Sequence, residues 1–216
     1  MTFTCKAFLF DLDGVLVDST HSVARIWKKW AIDHDLDFGP VVAHAHGRRS
    51  IETIRQFAPG LDAEEENRNV ENMEITDKDG IVAIPGAVEF LRRLPPNRFS
   101  IVTSATRPLA RARLQYAGLP WPQNAVTAED VVNGKPHPDP YLKGAALLNV
   151  GPADCVVFED TPAGIRAGKG AGMRVVAFTT TRPAEELKAA DVIVPSFDGL
   201  KLKFVDGTFS LQVDQS

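Results

Sequence analysis

Five short apolar runs recur along this chain, at residues 6–10, 99–103, 155–158, 174–178 and 191–194. None shows the alternation of a strand with one wet face. Continuous runs of this length fit strands buried on both sides, as in a parallel sheet. Helical patterns lie between them. One opens at Pro85-Gly86-Ala87 with Val88, Leu91 and Leu94 on a single face, proline being suited to a first helical turn. Others run over 108–116, ending at Gly118, over 138–148 and over 162–171. Strand and helix in repetition predict right-handed crossovers and a doubly wound, Rossmann-like α/β sheet.

Residues 18–84 break this rhythm, being too long for one crossover and showing helices but no convincing strand. Val23, Ile26, Trp27, Trp30 and Ala31 form the stripe of an amphipathic helix. Residues 50–57 read as a second helix, and Asp62 as the start of a third, with the Glu64-Glu65-Glu66 run on a solvated face. The expected organisation is therefore a core of residues 1–17 and 85–216 with a helical cap of residues 18–84 inserted after the first strand. Near the end, Asp206-Gly207 between two apolar stretches predicts a type I′ hairpin at about 201–213, expected to be an edge ornament.

The 216 residues carry 24 basic and 28 acidic side chains, a net charge of −4, and 44% are hydrophobic. That is enough apolar material for a core, and the mild acidity argues against nucleic acid or an anionic membrane as partner. No apolar run approaches the roughly 18 residues that span a bilayer, and the N-terminus does not read as a signal peptide. Cys5 and Cys155 read as two reduced thiols. A cytoplasmic protein, monomeric or weakly dimeric, is expected.

Four groups of residues carry chemistry. Asp11-Leu12-Asp13-Gly14 follows the first run, where ligands of open α/β sheets bind, and Gly14 permits the turn that would project both carboxylates. Thr103-Ser104-Ala105-Thr106 clusters hydroxyls and backbone N–H groups at a second strand end, which suits a phosphate. Lys135 is held between Gly134 and the Pro136-His137-Pro138 segment. Glu159-Asp160 ends another buried run, and a small-residue helix with Gly164, Gly168 and Gly170 follows.

In this order the four groups resemble the motifs of the haloacid dehalogenase superfamily of phosphotransferases, and the insertion resembles its helical C1 cap. The resemblance implies that Asp11 attacks phosphorus to give an aspartyl-phosphate, and that Asp13 protonates the leaving alcohol and then deprotonates water. It implies Mg²⁺ held by the Asp11 carboxylate, the Asp13 backbone carbonyl and Asp160, with Glu159 a direct or an outer ligand. Lys135 and Ser104 would hold the transferring phosphoryl oxygens, with Thr103 competing for the role of Ser104 and Ala105 and Thr106 alongside. Asp13 argues against the dehalogenase branch, which lacks a carboxylate there.

Residues 46–49, 56–59, 134–142 and 158–165 are similar to glycerol phosphatases, 2-deoxyglucose-6-phosphate phosphatases and related sugar phosphatases. That similarity implies hydrolysis of small sugar, hexitol or polyol phosphates. His46, Gly47, Arg48, Arg49 and Trp27 are the cap residues expected to face substrate. β-Phosphoglucomutase is the alternative, but Ser50 stands where its Gly-x-x-Arg-x-Glu pattern has arginine. A phospho-receiver module also uses an acceptor Asp, a Ser/Thr and a Lys. It would place its acceptor on a middle strand and have no helical insertion.

Overall fold

A computed structural model describes residues 1–213. Its centre is a six-stranded, all-parallel sheet. In chain order the strands are β2 (Ala7–Phe10), β5 (Phe99–Val102), β6 (Ala125–Val126), β7 (Cys155–Glu159), β8 (Arg174–Phe178) and β9 (Val192–Val194). In space they run β6-β5-β2-β7-β8-β9, so the first acidic motif leaves from the middle of the sheet. All five predicted runs are strands. The two-residue edge strand β6 is too short to give a periodic signal.

The burial pattern explains the two layers. Phe8 and Phe10 face one side with α5 (Ala87–Arg92) and α6 (Arg107–Tyr116). Ala7 and Leu9 face the other with α7 (Asp139–Leu147) and α8 (Pro162–Gly170). The Phe10 and Phe158 rings stack at 4.9 Å, and the same residues are paired in register across β2 and β7. This brings Asp11 and the Glu159-Asp160 pair out of the sheet side by side. In α5 the proline lies before the cap rather than in the first turn: Gly86, at φ 82°, precedes Ala87, and Ala87 and Phe90 are the buried residues of the helix.

The chain leaves the core through β3 (Val17–Asp18) and returns through β4 (Val82–Ala83), which pair antiparallel. These were invisible in the sequence because two-residue strands carry no period. Between them lie four helices: α1 (Thr20–Asp33), α2 (Phe38–Ala45), α3 (Ser50–Phe57) and α4 (Ala63–Thr76). The stripe on α1 is buried as expected, against Val41, Ala45, Ile54 and Val70. Asp62 caps α4 by accepting from the Glu64 and Glu65 amides. Glu66 departs from the solvated face assigned to its run, accepting from Trp30 Nε1 at 2.7 Å and lying 3.3 Å from His34 Nε2.

The tail hairpin forms as predicted, with Asp206 and Gly207 both at positive φ. It is not an edge ornament. Strands β10 (Leu200–Val205) and β11 (Thr208–Val213) join β1 (Thr2–Cys5) in a separate three-stranded sheet. Phe209 from this sheet packs on Phe8 at 4.9 Å. No helix among the described residues is long and apolar enough to cross a membrane.

Candidate active site

The carboxyl ends of β5, β2 and β7 converge beneath the cap on a shared hollow. At its floor lies Asp11, with 3% of its surface exposed. Lys135 Nζ sits 2.8 Å from Asp11 Oδ1 and 2.6 Å from Glu159 Oε1. Burial opposes charge on this lysine, but the two carboxylates outweigh it and raise its pKa. Burial pushes the Asp11 carboxyl up to about 7, against the pull of Lys135. Glu159 feels the same burial, yet Lys135 holds its carboxyl below the usual range.

Glu159 uses both oxygens within the protein. Oε1 accepts from Lys135 and Tyr141, and Oε2 from the Asp160 and Thr161 amides and the Thr161 hydroxyl. Gly164, in the first turn of α8, lies directly over it; a Cβ there would fall 1.7 Å from Glu159 Oε1. Asp160 is different. Oδ2 takes the Thr181 hydroxyl, while Oδ1 is buried with no partner. Burial, then Glu159 and Asp11, raise its pKa well above the ordinary carboxylate range.

Oxygens of Asp11, Glu159 and Asp160 lie within 4.8 Å of one another, a hard donor set that suits a divalent cation. The orphaned oxygen belongs to Asp160, and Glu159 is already satisfied, so Asp11 and Asp160 are the carboxylates that fit direct ligation. Gly14, at φ 76°, lets the chain pass over this cluster, since a Cβ there would meet Asp160 Oδ2 at 2.1 Å.

Asp13 stands two residues on and faces the hollow. Its Oδ1 accepts from Ser19 Oγ at 2.6 Å and its Oδ2 from Arg113 Nη1 at 2.6 Å. Ser104 lines the hollow and reaches the Gly47 carbonyl of the cap at 3.4 Å. Thr103 lines it too, but its Oγ1 accepts from the Ala105 amide in a local turn. Ala105 completes this wall. Thr106 precedes α6 with its hydroxyl buried and unpartnered, and opens on an adjoining recess lined by Arg49, Ser50, Asn67 and Glu71.

From the cap, His46, Gly47, Arg48 and Trp27 reach the hollow. Trp27 is 1% exposed and packs on Trp30 at 5.4 Å, so it serves the cap core as well. His46 Nδ1 lies 2.9 Å from the Val42 carbonyl, which makes it the donor and leaves the buried, unpartnered Nε2 as an acceptor. Burial lowers its pKa, favouring the neutral ring. Arg49 is not brought to the hollow. Its guanidinium clasps the core, donating to the carbonyls of Ala128 at 3.2 Å, Val131 at 3.0 Å and Val132 at 3.2 Å.

Sequence reasoning missed Arg113, Glu71, Glu74 and Thr181, all of which line the hollow, and Tyr141 behind it. Thr181 follows a strand end, a signal that could have found it. Arg113 and the two glutamates sit in helices of ordinary polar pattern and gave none.

The haloacid dehalogenase-like hydrolase family model matches residues 5–172. Hexitol phosphatase A of Escherichia coli is 44% identical over 90% of this chain and 92% of its own. Glycerol-1-phosphate phosphohydrolase 2 of Saccharomyces cerevisiae is 34% identical, covering 100% and 90%. The crystal structure of β-phosphoglucomutase from Clostridium difficile superposes with a TM-score of 0.81 at 26% identity, over 91% of this chain and 93% of that one. The chain thus belongs to the haloacid dehalogenase-like hydrolases, in the branch that holds these phosphatases and β-phosphoglucomutase.

Proposed function

We propose that this protein is a Mg²⁺-dependent phosphatase that hydrolyses small sugar, hexitol or polyol phosphates through an aspartyl-phosphate on Asp11. The observation that carries this reading is the shared hollow: Asp11 paired to Lys135, Asp13 two residues on, and the free oxygen of Asp160, all under a polar cap. The Asp11 and Asp160 carboxylates and the Asp13 backbone carbonyl would hold the cation. Bound there, Mg²⁺ neutralises charge that the carboxylates and the phosphate bring together.

An Asp11 oxygen attacks phosphorus, and the bond to the ester oxygen breaks with its electron pair leaving on that oxygen. Asp13 gives the departing alkoxide a proton. Once the alcohol has left, Asp13 takes a proton from water. The resulting hydroxide attacks phosphorus, the bond to Asp11 breaks, and inorganic phosphate is released. Lys135 and Ser104 steady the phosphoryl oxygens throughout.

Hydrolysis is favoured over mutase chemistry by the cap. Ser50 stands where the mutase pattern has arginine, and of the two neighbouring arginines Arg49 is engaged with core carbonyls, which leaves Arg48 alone on the hollow. A panel of hexitol, glycerol and sugar phosphates scored for inorganic phosphate tests the reading. β-Glucose 1-phosphate with a bisphosphate primer belongs in the panel. Glucose 6-phosphate as the dominant product, with little free phosphate, would overturn hydrolysis.

Chelation with EDTA should abolish phosphate release, and added Mg²⁺ should restore it. Proton and cation compete for Asp11, whose pKa stands at about 7 without metal. The apparent Mg²⁺ affinity should therefore strengthen as pH rises towards and through 7. Full activity in chelator, or an affinity indifferent to pH, would count against this ligand set.

Asp13→Ala should lower kcat/KM on alkyl phosphates by about 10²- to 10⁴-fold, and on p-nitrophenyl phosphate far less, because nitrophenolate departs without a proton. Equal losses on both would remove the case for Asp13 as the acid.

A further inference from the structure

Arg113 and Glu74 belong to different parts of the molecule. Arg113 lies on α6 of the core and Glu74 on α4 of the cap, with side chains 7% and 4% exposed. Among the described residues their 3.3 Å contact is the one ion pair that joins cap to core. The other arm of the same guanidinium, Nη1, donates to Asp13 Oδ2 at 2.6 Å. A guanidinium is a rigid planar fork, so fixing one arm on the cap restricts where the other can point. A lone buried cation would be costly, and the two carboxylates offset that cost.

We infer that Glu74 and Arg113 are positioning residues for Asp13: the cap carboxylate anchors the guanidinium, and the guanidinium sets the orientation of the acid when the cap rests on the core. The inference rests on the proposed role of Asp13 in leaving-group protonation. Asp13 Oδ1 is held by Ser19, which lies on the connection into the cap. Both oxygens of the acid are thus aligned from groups that meet only where the cap and core join. One step further along the two helices, Tyr116 donates to the Ile75 carbonyl at 2.8 Å. That bond pins α4 to α6 independently, so removing the Glu74 carboxylate need not unseat the cap.

The test uses Glu74→Ala, Glu74→Gln and Arg113→Lys on two esters, a hexitol or glycerol phosphate and p-nitrophenyl phosphate. The parameter kcat/KM covers steps only through departure of the leaving group, so later attack by water does not enter it. Glu74→Ala should lose about 10- to 100-fold on the alkyl ester and less than about 3-fold on the nitrophenyl ester. Glu74→Gln, which keeps an oxygen for Arg113, should recover part of the loss. Arg113→Lys, which keeps the charge but not the fork, should not. Equal losses on both esters, or no loss on the alkyl ester, would overturn the positioning role. A wild-type protein that releases phosphate from neither ester would take down the phosphatase reading itself. An active wild type with undiscriminating variants would sink only this inference.

Discussion

An Asp11→Asn variant is expected to fold normally and to lose at least about 10⁴-fold in kcat on every phosphate ester the wild type hydrolyses. The amide has nearly the shape of the carboxylate, and its carbonyl oxygen can still accept from Lys135. What disappears is the anionic oxygen that bonds to phosphorus, and the neighbouring carboxylates have other tasks, Asp160 being the one whose free oxygen would hold the cation. Glu159 has its oxygens occupied by Lys135, Tyr141 and the Asp160-Thr161 turn. Asp13 is turned towards Ser19 and Arg113. The fold should tolerate the change, because it removes one of three acidic groups crowded within 4.8 Å. Phosphate release measured beside far-ultraviolet circular dichroism separates the two effects. More than about 1% residual turnover in a well-folded variant would place the nucleophile elsewhere.

Lys135→Met is expected to damage stability as well as rate. The lysine is 3% exposed and neutralises Asp11 and Glu159 directly. Removing one partner of a buried ionic cluster costs about 3–5 kcal/mol, since the charges left behind have no solvent to turn to. Urea unfolding in chelator should show this loss, and saturating Mg²⁺ should recover part of it by binding the folded state. The pH dependence follows from the acids left behind. Asp11 has its pKa raised in the folded protein from an ordinary 3.8 to about 7, so the folded state holds a proton that the unfolded chain releases earlier. Such a group lowers stability as pH rises through that window. Without Lys135 the penalty grows, so the deficit of the variant against wild type should be smaller near pH 4, where the lost Lys135–Glu159 pair carries it, and should widen as pH rises through 7 and Asp11 ionises in the wild type. A deficit that stays flat across this range would mean that lost packing, not unpaired charge, is responsible.

The parts of the fold that could be read from the sequence are those with a local physical signature. The run at 155–158 had to be buried on both faces because it offers no polar residue to water, and β7 is buried throughout. The Trp27-Trp30 stripe needed only the helical period to predict its burial. The four acidic, hydroxyl and lysine groups were legible because each follows directly on a strand or is stiffened by proline. The missing pieces depend on distant partners. Arg113 meets Asp13 across 100 positions of sequence, and nothing in its helix distinguishes it from the exposed Arg111. Glu74 looks like one more glutamate of an acidic helix until α6 closes over it. The hairpin was readable as a turn, but its task of carrying Phe209 onto Phe8 was not, because nothing local says which face a ribbon will cover.

The clasp made by Arg49 carries a consequence for how this enzyme can drift. All three of its acceptors are peptide carbonyls, at Ala128, Val131 and Val132. Every amino acid supplies that oxygen, so replacing side chains along this loop leaves the docking points intact as long as the backbone path is kept. One half of the latch is therefore insulated from most mutations, the exception being Gly134, where a Cβ would fall 2.9 Å from Arg49 Nε; the other half rests on a single arginine codon.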